Sequence, residues 1–377
     1  MTYRVIAMAA LLGSASTLHA GGIDRSGQSI TALFESGRYA EFSLGSVSPN
    51  TSGVGAGPLS QVTPTPGANS GNMTENFFTF GAAYKADIND QLSYAIIYDQ
   101  PFGADVEYPT GTGYFAAGSK AELNSHALTG LLRYKMPNNF SVHGGIRVQT
   151  IEASATLPRS DGSMYSVDGE RETGVGYVAG IAYEKPEIAL RVSLTYNSKI
   201  KYDSDTTESV NGFTISTAPT HIETPQSVNL EFQTGIMADT LLFGGVRWVD
   251  WSSFEISPAA YSSPPPTGNG APLLSYENDV YTYSLGIGRR LSDTWSVAAV
   301  VGYEKSNGGF SSNLGPTDGN KSLGLAATYT RDSMEITTGI RYINIGDAET
   351  TLDGTNTAAV FEDNDAVAIG VKVGFTF

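Results

Sequence analysis

The sequence predicts an all-β protein, a transmembrane antiparallel β-barrel of about fourteen strands with a short N-terminal segment in its lumen. Segments in which apolar and polar side chains alternate recur along the chain, joined in pairs by very short turns and between pairs by long polar loops. The chain also begins with an export signal. No later stretch approaches the roughly 20 apolar residues of a membrane helix, so strands must form any membrane span.

The first twenty residues have the features of a secretory signal peptide. Arg4 supplies positive charge, the run 5–12 is apolar, and Ala20 is a plausible cleavage point. The apolar run is too short to span a bilayer. The predicted organisation is a signal peptide at 1–20, a short N-terminal segment at 21–36 and a barrel at 37–377.

Composition excludes several classes of function. The net charge is −16, so no basic patch is available for nucleic acid. Cysteine is absent and there are four histidines, which leaves little basis for a metal site. Gly-x-Ser-x-Gly, His-Glu-x-x-His and phosphate-loop motifs are also absent. We therefore predict neither an enzyme nor a bound cofactor.

The alternating segments give an even number of strands, as bacterial single-chain barrels require. Short turns follow every second strand, for example at 137–139, 185–186 and 238–239, and long loops lie between the hairpins. Short turns on the periplasmic side and long loops outside are typical of outer-membrane barrels. The predicted strands are 37–48, 75–86, 91–101, 122–135, 140–155, 171–184, 187–202, 225–237, 240–256, 277–291, 294–305, 321–331, 334–346 and 364–377.

The last strand shows the alternation most clearly. Val367, Ile369 and Val371 share one face, and Ala368 and Lys372 share the other. Period two indicates one face toward an apolar medium and one toward an enclosed interior. The aromatic terminus, Phe377, resembles the signal that barrel-assembly machinery reads. Outward tyrosines just before short turns predict an interfacial girdle; they are Tyr84, Tyr134, Tyr183 and Tyr329.

Three segments resemble the long-chain fatty acid transporter family of the FadL type, which includes transporters of toluene-like aromatics. Residues 224–230 (TPQSVNL) resemble the Leu-Pro segment that opens a family strand. Residues 247–254 (RWVDWSSF) resemble its Trp-Ser-x-Phe strand, and residues 196–203 (YNSKIKYD) resemble a tyrosine-rich, basic strand end. The resemblance covers nearly the whole barrel. It implies fourteen strands, a hatch in the lumen and sideways exit of substrate through a gap made by a kink in the third strand.

The kink is expected at Pro101, Phe102 and Gly103, which resemble the family's Asn-aromatic-Gly sequence. Proline cannot donate to a strand ladder and glycine tolerates strained dihedral angles, so both suit a break in pairing. The alternative is that Pro101 simply ends the strand at its loop.

The N-terminal segment departs from the family pattern, because it is shorter and lacks the Asn-Pro-Ala motif that the resemblance implies. Ile30, Leu33 and Phe34 are its apolar residues. They are interpreted either as a short plug that enters the lumen or as an extension of the first strand.

Inward-facing cations and apolar side chains are the candidate lumen site. An interior cation would hold a fatty acid carboxylate by a charge-assisted hydrogen bond, and Phe77 and Phe243 would contact the tail. Alternatively, the cations pair with inward acids such as Glu231 and Glu304. The candidate cations are His143, Arg147, Arg191, Arg247, Arg341 and Lys372.

The resemblance also implies a hydrophobic capture site between the third and fourth outer loops, at about 156–170 and 203–224. Exposed apolar residues on polar loops mark binding surfaces. The alternative is that these side chains pack within their own loops. The candidates are Met164, Tyr165, Phe213 and Ile215.

The predicted function is passive, ligand-gated transport of long-chain fatty acids or similar hydrophobic molecules across the outer membrane of a Gram-negative bacterium, with lateral exit. The predicted partners are the substrate, outer-membrane lipid and lipopolysaccharide, and the barrel-assembly machinery, and the family resemblance implies a monomer. Two alternatives stay open: a diffusion porin for small polar solutes, and a structural or adhesive barrel.

Overall fold

The computed structural model of this protein describes residues 23–56, 66–265 and 268–377. The predicted signal peptide at 1–20 lies outside the described residues. Fourteen antiparallel strands form one sheet that closes on itself. The strands are β1 (Tyr39–Asn50), β2 (Phe77–Asp87), β3 (Leu92–Asp99 and Gly103–Glu107), β4 (Lys120–Lys135), β5 (Phe140–Pro158), β6 (Met164–Lys185), β7 (Leu190–Asn197), β8 (Ser227–Met237), β9 (Thr240–Val249), β10 (Val280–Arg290), β11 (Trp295–Glu304), β12 (Asn320–Arg331), β13 (Met334–Ile345) and β14 (Asp365–Thr376).

Closure comes from pairing of the first strand with the last. The β1–β14 ladder runs from Tyr39 opposite Thr376 to Asn50 opposite Asp365. Every strand of the barrel therefore has two neighbours, and the sheet has neither a first nor a last strand left unpaired. A closed sheet satisfies its backbone polar groups internally, which is the condition for crossing a bilayer.

The alternation in the sequence becomes an outward apolar face and an inward mixed face. On β14, Val367, Ile369 and Val371 are exposed, whereas Ala368 and Lys372 are buried. Exposed side chains on β12, β13 and β1 are also large and apolar, such as Leu323, Ile340 and Leu44. An apolar band on the outside of a closed barrel is the surface that faces lipid.

A short turn connects the two strands of each hairpin, and all these turns lie at one end of the barrel, which we call the short-turn end. Asn139, Asp239 and Asp332 have left-handed φ angles of 67°, 58° and 53° there, which Asn and Asp tolerate in tight turns. Tyr84, Tyr134, Tyr183 and Tyr329 lie next to these turns, and rings pair between strands, as in Trp295 with Tyr329 at 5.2 Å. The girdle that we predict would lie at this height.

The opposite end, the long-loop end, differs most from the predicted boundaries. The sixth strand begins at Met164 rather than 171, so most of the expected third loop is strand. The seventh ends at Asn197 and the ninth at Val249, because the chain turns inward there. Short strands form within the loops at Gly53–Gly55, Ile200–Ser204, Thr206–Val210, Phe213–Ser216, Thr220–Thr224, Glu255–Ile256, Leu274–Ser275, Phe310–Ser311, Ala348–Thr351 and Thr357–Phe361.

The N-terminal segment, residues 23–36, lies inside the barrel. Ile30 and Leu33 are buried against Ala83, Ala95 and Leu131 of the inner wall. Three-residue and four-residue 3-10 helices occur at Thr31–Phe34, Pro186–Ile188 and Trp251–Ser253. Within the described ranges, no helix is long and apolar enough to cross a membrane.

Candidate functional site

The third strand is interrupted near the long-loop end and then resumes. Its first part pairs with β4 up to Asp99 opposite Ala127, and its second part starts with Gly103 opposite Asn124. Three residues of β3 therefore face two residues of β4, so β3 carries one extra residue at this point. Strand pairing continues on the far side, so Pro101 does not end the strand.

Side-chain hydrogen bonds replace the missing ladder at this break. Ser125 Oγ accepts a hydrogen bond from Phe102 N (2.8 Å) and donates one to Phe102 O (2.7 Å). On the other edge, Phe80 N of β2 donates to the side-chain Oε1 of Gln100 at 2.7 Å. The backbone at 100–102 is thus held by side chains rather than by neighbouring strands.

The interruption leaves a gap in the wall between β2 and β3. The β2–β3 ladder ends with Ala82 opposite Tyr98. In the part of the chain that the structure describes, the next backbone contact between these segments is the hydrogen bond from Glu75 N to Asp105 O at 3.2 Å. We call this unpaired stretch the β2–β3 gap.

The N-terminal segment closes this gap from the inside. Gly103 N donates to Ile23 O (2.8 Å), and Arg25 N donates to Pro101 O (2.8 Å). Arg25 also lies over the ring of Phe77 at 4.0 Å and contacts Asp105 at 2.5 Å. The N-terminal residues therefore act as a short extra strand along the inner face of the break.

Gly103 leaves room for the guanidinium group of Arg25 at this contact. A Cβ atom on Gly103 would lie 2.5 Å from Cζ of the Arg25 guanidinium. Such a distance is far below van der Waals contact, so any other residue would displace Arg25. The absence of a side chain at Gly103 therefore lets the N-terminal segment pack closely against β3.

Buried polar contacts fix the N-terminal segment to the opposite wall. Asp24 accepts a hydrogen bond from Arg247 Nε at 2.6 Å, and Arg247 Nη1 donates to Asn229 at 2.8 Å. Ser227 Oγ donates to Gln28 Oε1 at 2.7 Å. The Asp24 and Arg247 side chains are 0% and 9% exposed, so this ion pair is almost fully desolvated.

Phe34 anchors the other end of the segment. Its ring lies beneath two guanidinium groups, Arg133 at 4.7 Å and Arg191 at 4.8 Å. His143 meets the same ring edge-on at 5.8 Å. These contacts place Phe34 inside the barrel and separate it from β1, which begins at Tyr39.

An aromatic layer crosses the lumen on the long-loop side of the N-terminal segment. Phe102 packs edge-on against Trp251 at 5.8 Å, and Trp251 packs against Phe254 at 5.4 Å. The predicted strand 240–256 is wrong beyond Val249, because Trp251 and Phe254 turn into the barrel as a 3-10 turn. Ile200, Ile222 and Leu274 belong to the same buried cluster.

A small apolar cavity lies above this layer. Ala104 of β3, Leu123 of β4 and Ile222 of a loop are among its lining residues. Its volume is about 50 Å³, whereas an apolar cavity that binds benzene holds roughly 150 Å³. A ligand therefore needs the lining to move before even one aromatic ring fits.

A cavity of about 160 Å³ with a mixed polar and apolar lining lies beside the N-terminal segment. Ser29 and Thr31 of the segment contribute to its lining, together with Arg191, Arg247 and Arg341 of the wall. Arginines from three separate strands thus line one cavity.

The candidate lumen residues all face inward, but their contacts differ. Arg247 pairs with Asp24, and Lys372 pairs with Glu41 at 3.2 Å, so both pair with acids inside the barrel, though not with Glu231 or Glu304. His143 Nε2 lies 3.1 Å from Thr195 Oγ1.

Phe77 packs with Arg25 as described, and Phe243 packs with Leu241, Ala298, Val300 and Ala326.

Arg147 differs from the other wall arginines. It is 3% exposed, and its Nε donates to Thr129 Oγ1 at 2.9 Å. Among the described residues, its buried Nη1 has no hydrogen-bond partner. A buried guanidinium donor without a partner is costly unless an acceptor visits it.

The predicted outer capture residues do not form one exposed surface. Tyr165 is 2% exposed, and its hydroxyl donates to Glu208 Oε2 at 2.7 Å, so its assignment as an exposed loop residue is wrong. Met164 is half-buried at the first position of β6. Phe213 and Ile215 are exposed, at 78% and 47%.

Glu208 explains why Tyr165 is buried. Its carboxylate also accepts hydrogen bonds from the backbone nitrogens of Ala260 and Tyr261, at 2.7 and 2.8 Å. One buried carboxylate thus joins three segments of the long-loop end. Sequence alone gives no signal for this, because the three segments are distant along the chain.

Asp24 and Arg25 are residues of this region that the sequence did not single out, whereas Trp251 and Phe254 were noted as part of a strand motif and not as lumen residues. Asp24 and Arg25 are adjacent charges in a short segment that enters the lumen. Their presence indicates that the barrel wall carries oppositely charged partners, but the sequence does not identify those partners. Within the described ranges, no group of three or more histidine, aspartate or glutamate residues is placed to hold a metal ion.

Comparisons with known proteins agree with this architecture. The family described as outer membrane protein transport protein (OMPP1/FadL/TodX) matches residues 32–377. The crystal structure of a Pseudomonas aeruginosa FadL homologue superimposes with a TM-score of 0.74 at 14% identity, covering 97% of each chain. No curated protein is similar enough in sequence to count as a relative.

Two further solved structures share the fold. The P. putida toluene transporter TodX has a TM-score of 0.63 at 12% identity and covers 92% of each chain. The Ralstonia pickettii toluene transporter TbuX has a TM-score of 0.62 at 12% identity, over 92% of this chain and 91% of that one. With the family match across almost the whole barrel, the chain belongs to the outer membrane transport protein family of OMPP1, FadL and TodX, and it is a Gram-negative outer-membrane barrel for the transport of hydrophobic compounds.

Proposed function

We propose that the barrel carries long-chain fatty acids passively and releases them sideways through the β2–β3 gap. The observation that carries the proposal is the break at Pro101, which the N-terminal residues bridge from inside. A gap closed by a separate segment opens when that segment moves, without breaking the rest of the barrel.

Ligand gating fits the closed state of the lumen. The apolar cavity is too small for substrate, and Ala104 of its lining follows Gly103 directly. A hydrocarbon tail that enlarges the cavity must displace the aromatic layer, of which Phe102 is part. Because Phe102 lies in the break itself, this displacement loosens the contacts of Ile23 and Arg25 with β3.

The lumen arginines favour a substrate with a carboxylate over a pure hydrocarbon. Arg147 lies on β5 opposite Thr129 of β4, which pairs with Ile97 of β3. Its unpartnered Nη1 is therefore near the height of the break. We infer that Arg147 donates a hydrogen bond to the carboxylate of the head group while the tail occupies the apolar cavity. TodX and TbuX are toluene transporters, and toluene makes no use of such a donor.

Replacement of Arg147 by methionine should separate head-group recognition from tail recognition. We expect oleate uptake to fall by about tenfold or more, because a charge-assisted hydrogen bond contributes about 1.5–3 kcal/mol. Methyl oleate uptake should be unchanged, since the ester has no charge. Initial rates in proteoliposomes measure both. Arg171→Met, at an exposed arginine of β6, is the control, and equal losses for both substrates would contradict the head-group role.

The transport proposal itself is tested with the unmodified protein. We expect labelled oleate to enter proteoliposomes at a rate that saturates with substrate, and we expect planar bilayers to show almost no steady conductance. The N-terminal segment and the aromatic layer fill the lumen, so small ions lack an open path. A large stable conductance without oleate uptake would instead indicate a diffusion porin.

The same proposal covers the outer loops, the two ends of the chain and the partners. Phe213 and Ile215, as exposed apolar residues at the long-loop end, would make the first contact with substrate. Residues 1–20 would be removed on export, residues 21–36 would act as the hatch, and the barrel would insert through its assembly machinery and work as a monomer among phospholipid and lipopolysaccharide.

A further inference from the structure

The lipid-facing surface of β9 to β14 carries an apolar groove of about 870 Å³ near the short-turn end. Its floor lies where outward positions hold the small residues Ala299 and Ala327, and its sides are Ile287, Leu325 and Ile340. Apolar atoms make up nearly all of its accessible lining. The groove forms because these small side chains lie between large ones on neighbouring strands.

Arg289 lines the groove at one end and faces outward. It pairs with Thr240 on β9 and with Val297 on β11. Val297 is two residues from Trp295, whose ring packs on Tyr329 at the short-turn end. Arg289 therefore lies at the height where aromatic residues mark the boundary between headgroups and hydrocarbon.

The guanidinium of Arg289 is held in place but not neutralised. Its Nη1 donates to Thr240 Oγ1 at 2.7 Å. Among the described residues, no carboxylate lies within 4.0 Å of it, and Asp239, the acid of the adjoining turn, is bound by Arg290 instead. An oriented, uncompensated arginine at the interface fits a phosphate oxygen.

We propose that this groove is a specific binding site for a glycerophospholipid of the periplasmic leaflet, with the phosphate on Arg289 and one acyl chain along Ala299 and Ala327. Positive charge at the headgroup height and an apolar channel running from it match the two parts of such a lipid. The site is on a different part of the wall from the β2–β3 gap, and the proposal does not depend on the transported substrate.

The test uses full-length mature protein, delipidated in detergent and then mixed with palmitoyl-oleoyl phosphatidylglycerol, with retained lipid counted by native mass spectrometry. We expect wild type to retain one lipid, and Arg289→Gln to retain about tenfold less, as the loss of one charge-assisted hydrogen bond implies. Ala327→Phe, which fills the floor, should have the same effect. Arg331→Gln, at an outward arginine of the same rim outside the groove, should retain the lipid.

Three results would overturn the proposal. The first is equal retention in all four proteins. The second is equal retention of dioleoylglycerol, which has no phosphate. The third is displacement of the phospholipid by an equal concentration of oleate with the same dependence on Arg289, which would make the groove a fatty acid site. The heat-dependent gel mobility of each variant verifies that its barrel is folded.

Discussion

Deletion of Pro101 is expected to reduce oleate uptake to background. The deletion removes the one extra residue of β3, so Gln100 would face His126 and Phe102 would face Ser125 in a regular ladder. The backbone of β2 would then pair with β3 across the gap and form several new hydrogen bonds, each contributing about 1 kcal/mol. Opening the wall would have to break all of them. Initial uptake rates in proteoliposomes measure the effect.

Pro101→Ala is the matched control for this deletion. It keeps the extra residue, and with it the offset between Asp99 and Gly103, while restoring a backbone N–H. We expect uptake close to wild type. Uptake in the deletion variant that equals wild type would remove the β2–β3 gap from the mechanism, provided that the barrel is folded.

Arg247→Met should release the N-terminal segment from the wall. The substitution leaves the carboxylate of Asp24 buried without a cation, which typically costs about 3–5 kcal/mol. Moving the segment out of the lumen relieves this cost by hydrating Asp24. Because the chain has no cysteine, a single Ser29→Cys reports the change. Its modification by a water-soluble maleimide should become at least about a hundredfold faster, in line with that free energy.

Two further variants distinguish loss of the ion pair from general damage. Asp24→Asn combined with Arg247→Met removes both charges and should restore much of the slow modification rate. Arg290→Gln breaks a partly exposed pair with Asp239 at the rim and should leave the rate unchanged. If the double variant is modified as fast as Arg247→Met alone, the ion pair is not what holds the segment.

Much of the barrel follows from local sequence. The outward face of β14 alternates without error from Val367 to Val371, and turns with Asn139, Asp239 and Asp332 supply the conformations that short connections need. Such features depend on a few adjacent residues, so they are readable from sequence. The strand number and the hairpin order follow from them.

The site depends on contacts between distant residues, and sequence reasoning is weak there. Tyr165 lies in a polar segment that is typical of an exposed loop. It is nevertheless buried, because its hydroxyl donates a hydrogen bond to the carboxylate of Glu208. Trp251 and Phe254 continue an alternating pattern, but the strand ends at Val249 because both rings pack inside the barrel. Asp24 and Arg25 acquire their roles only when closure of the sheet brings Arg247 and Asp105 to them.

The 50 Å³ cavity above the aromatic layer has a consequence for selectivity. Entry begins with a fixed penalty for separating Phe102 from Trp251, and each methylene of a tail recovers about 0.8 kcal/mol on burial. Short acids recover too little to meet that penalty, so they do not drive the opening of the aromatic layer. The barrel would thus select for chain length by free energy, and short-chain acids would be excluded without a fixed size filter.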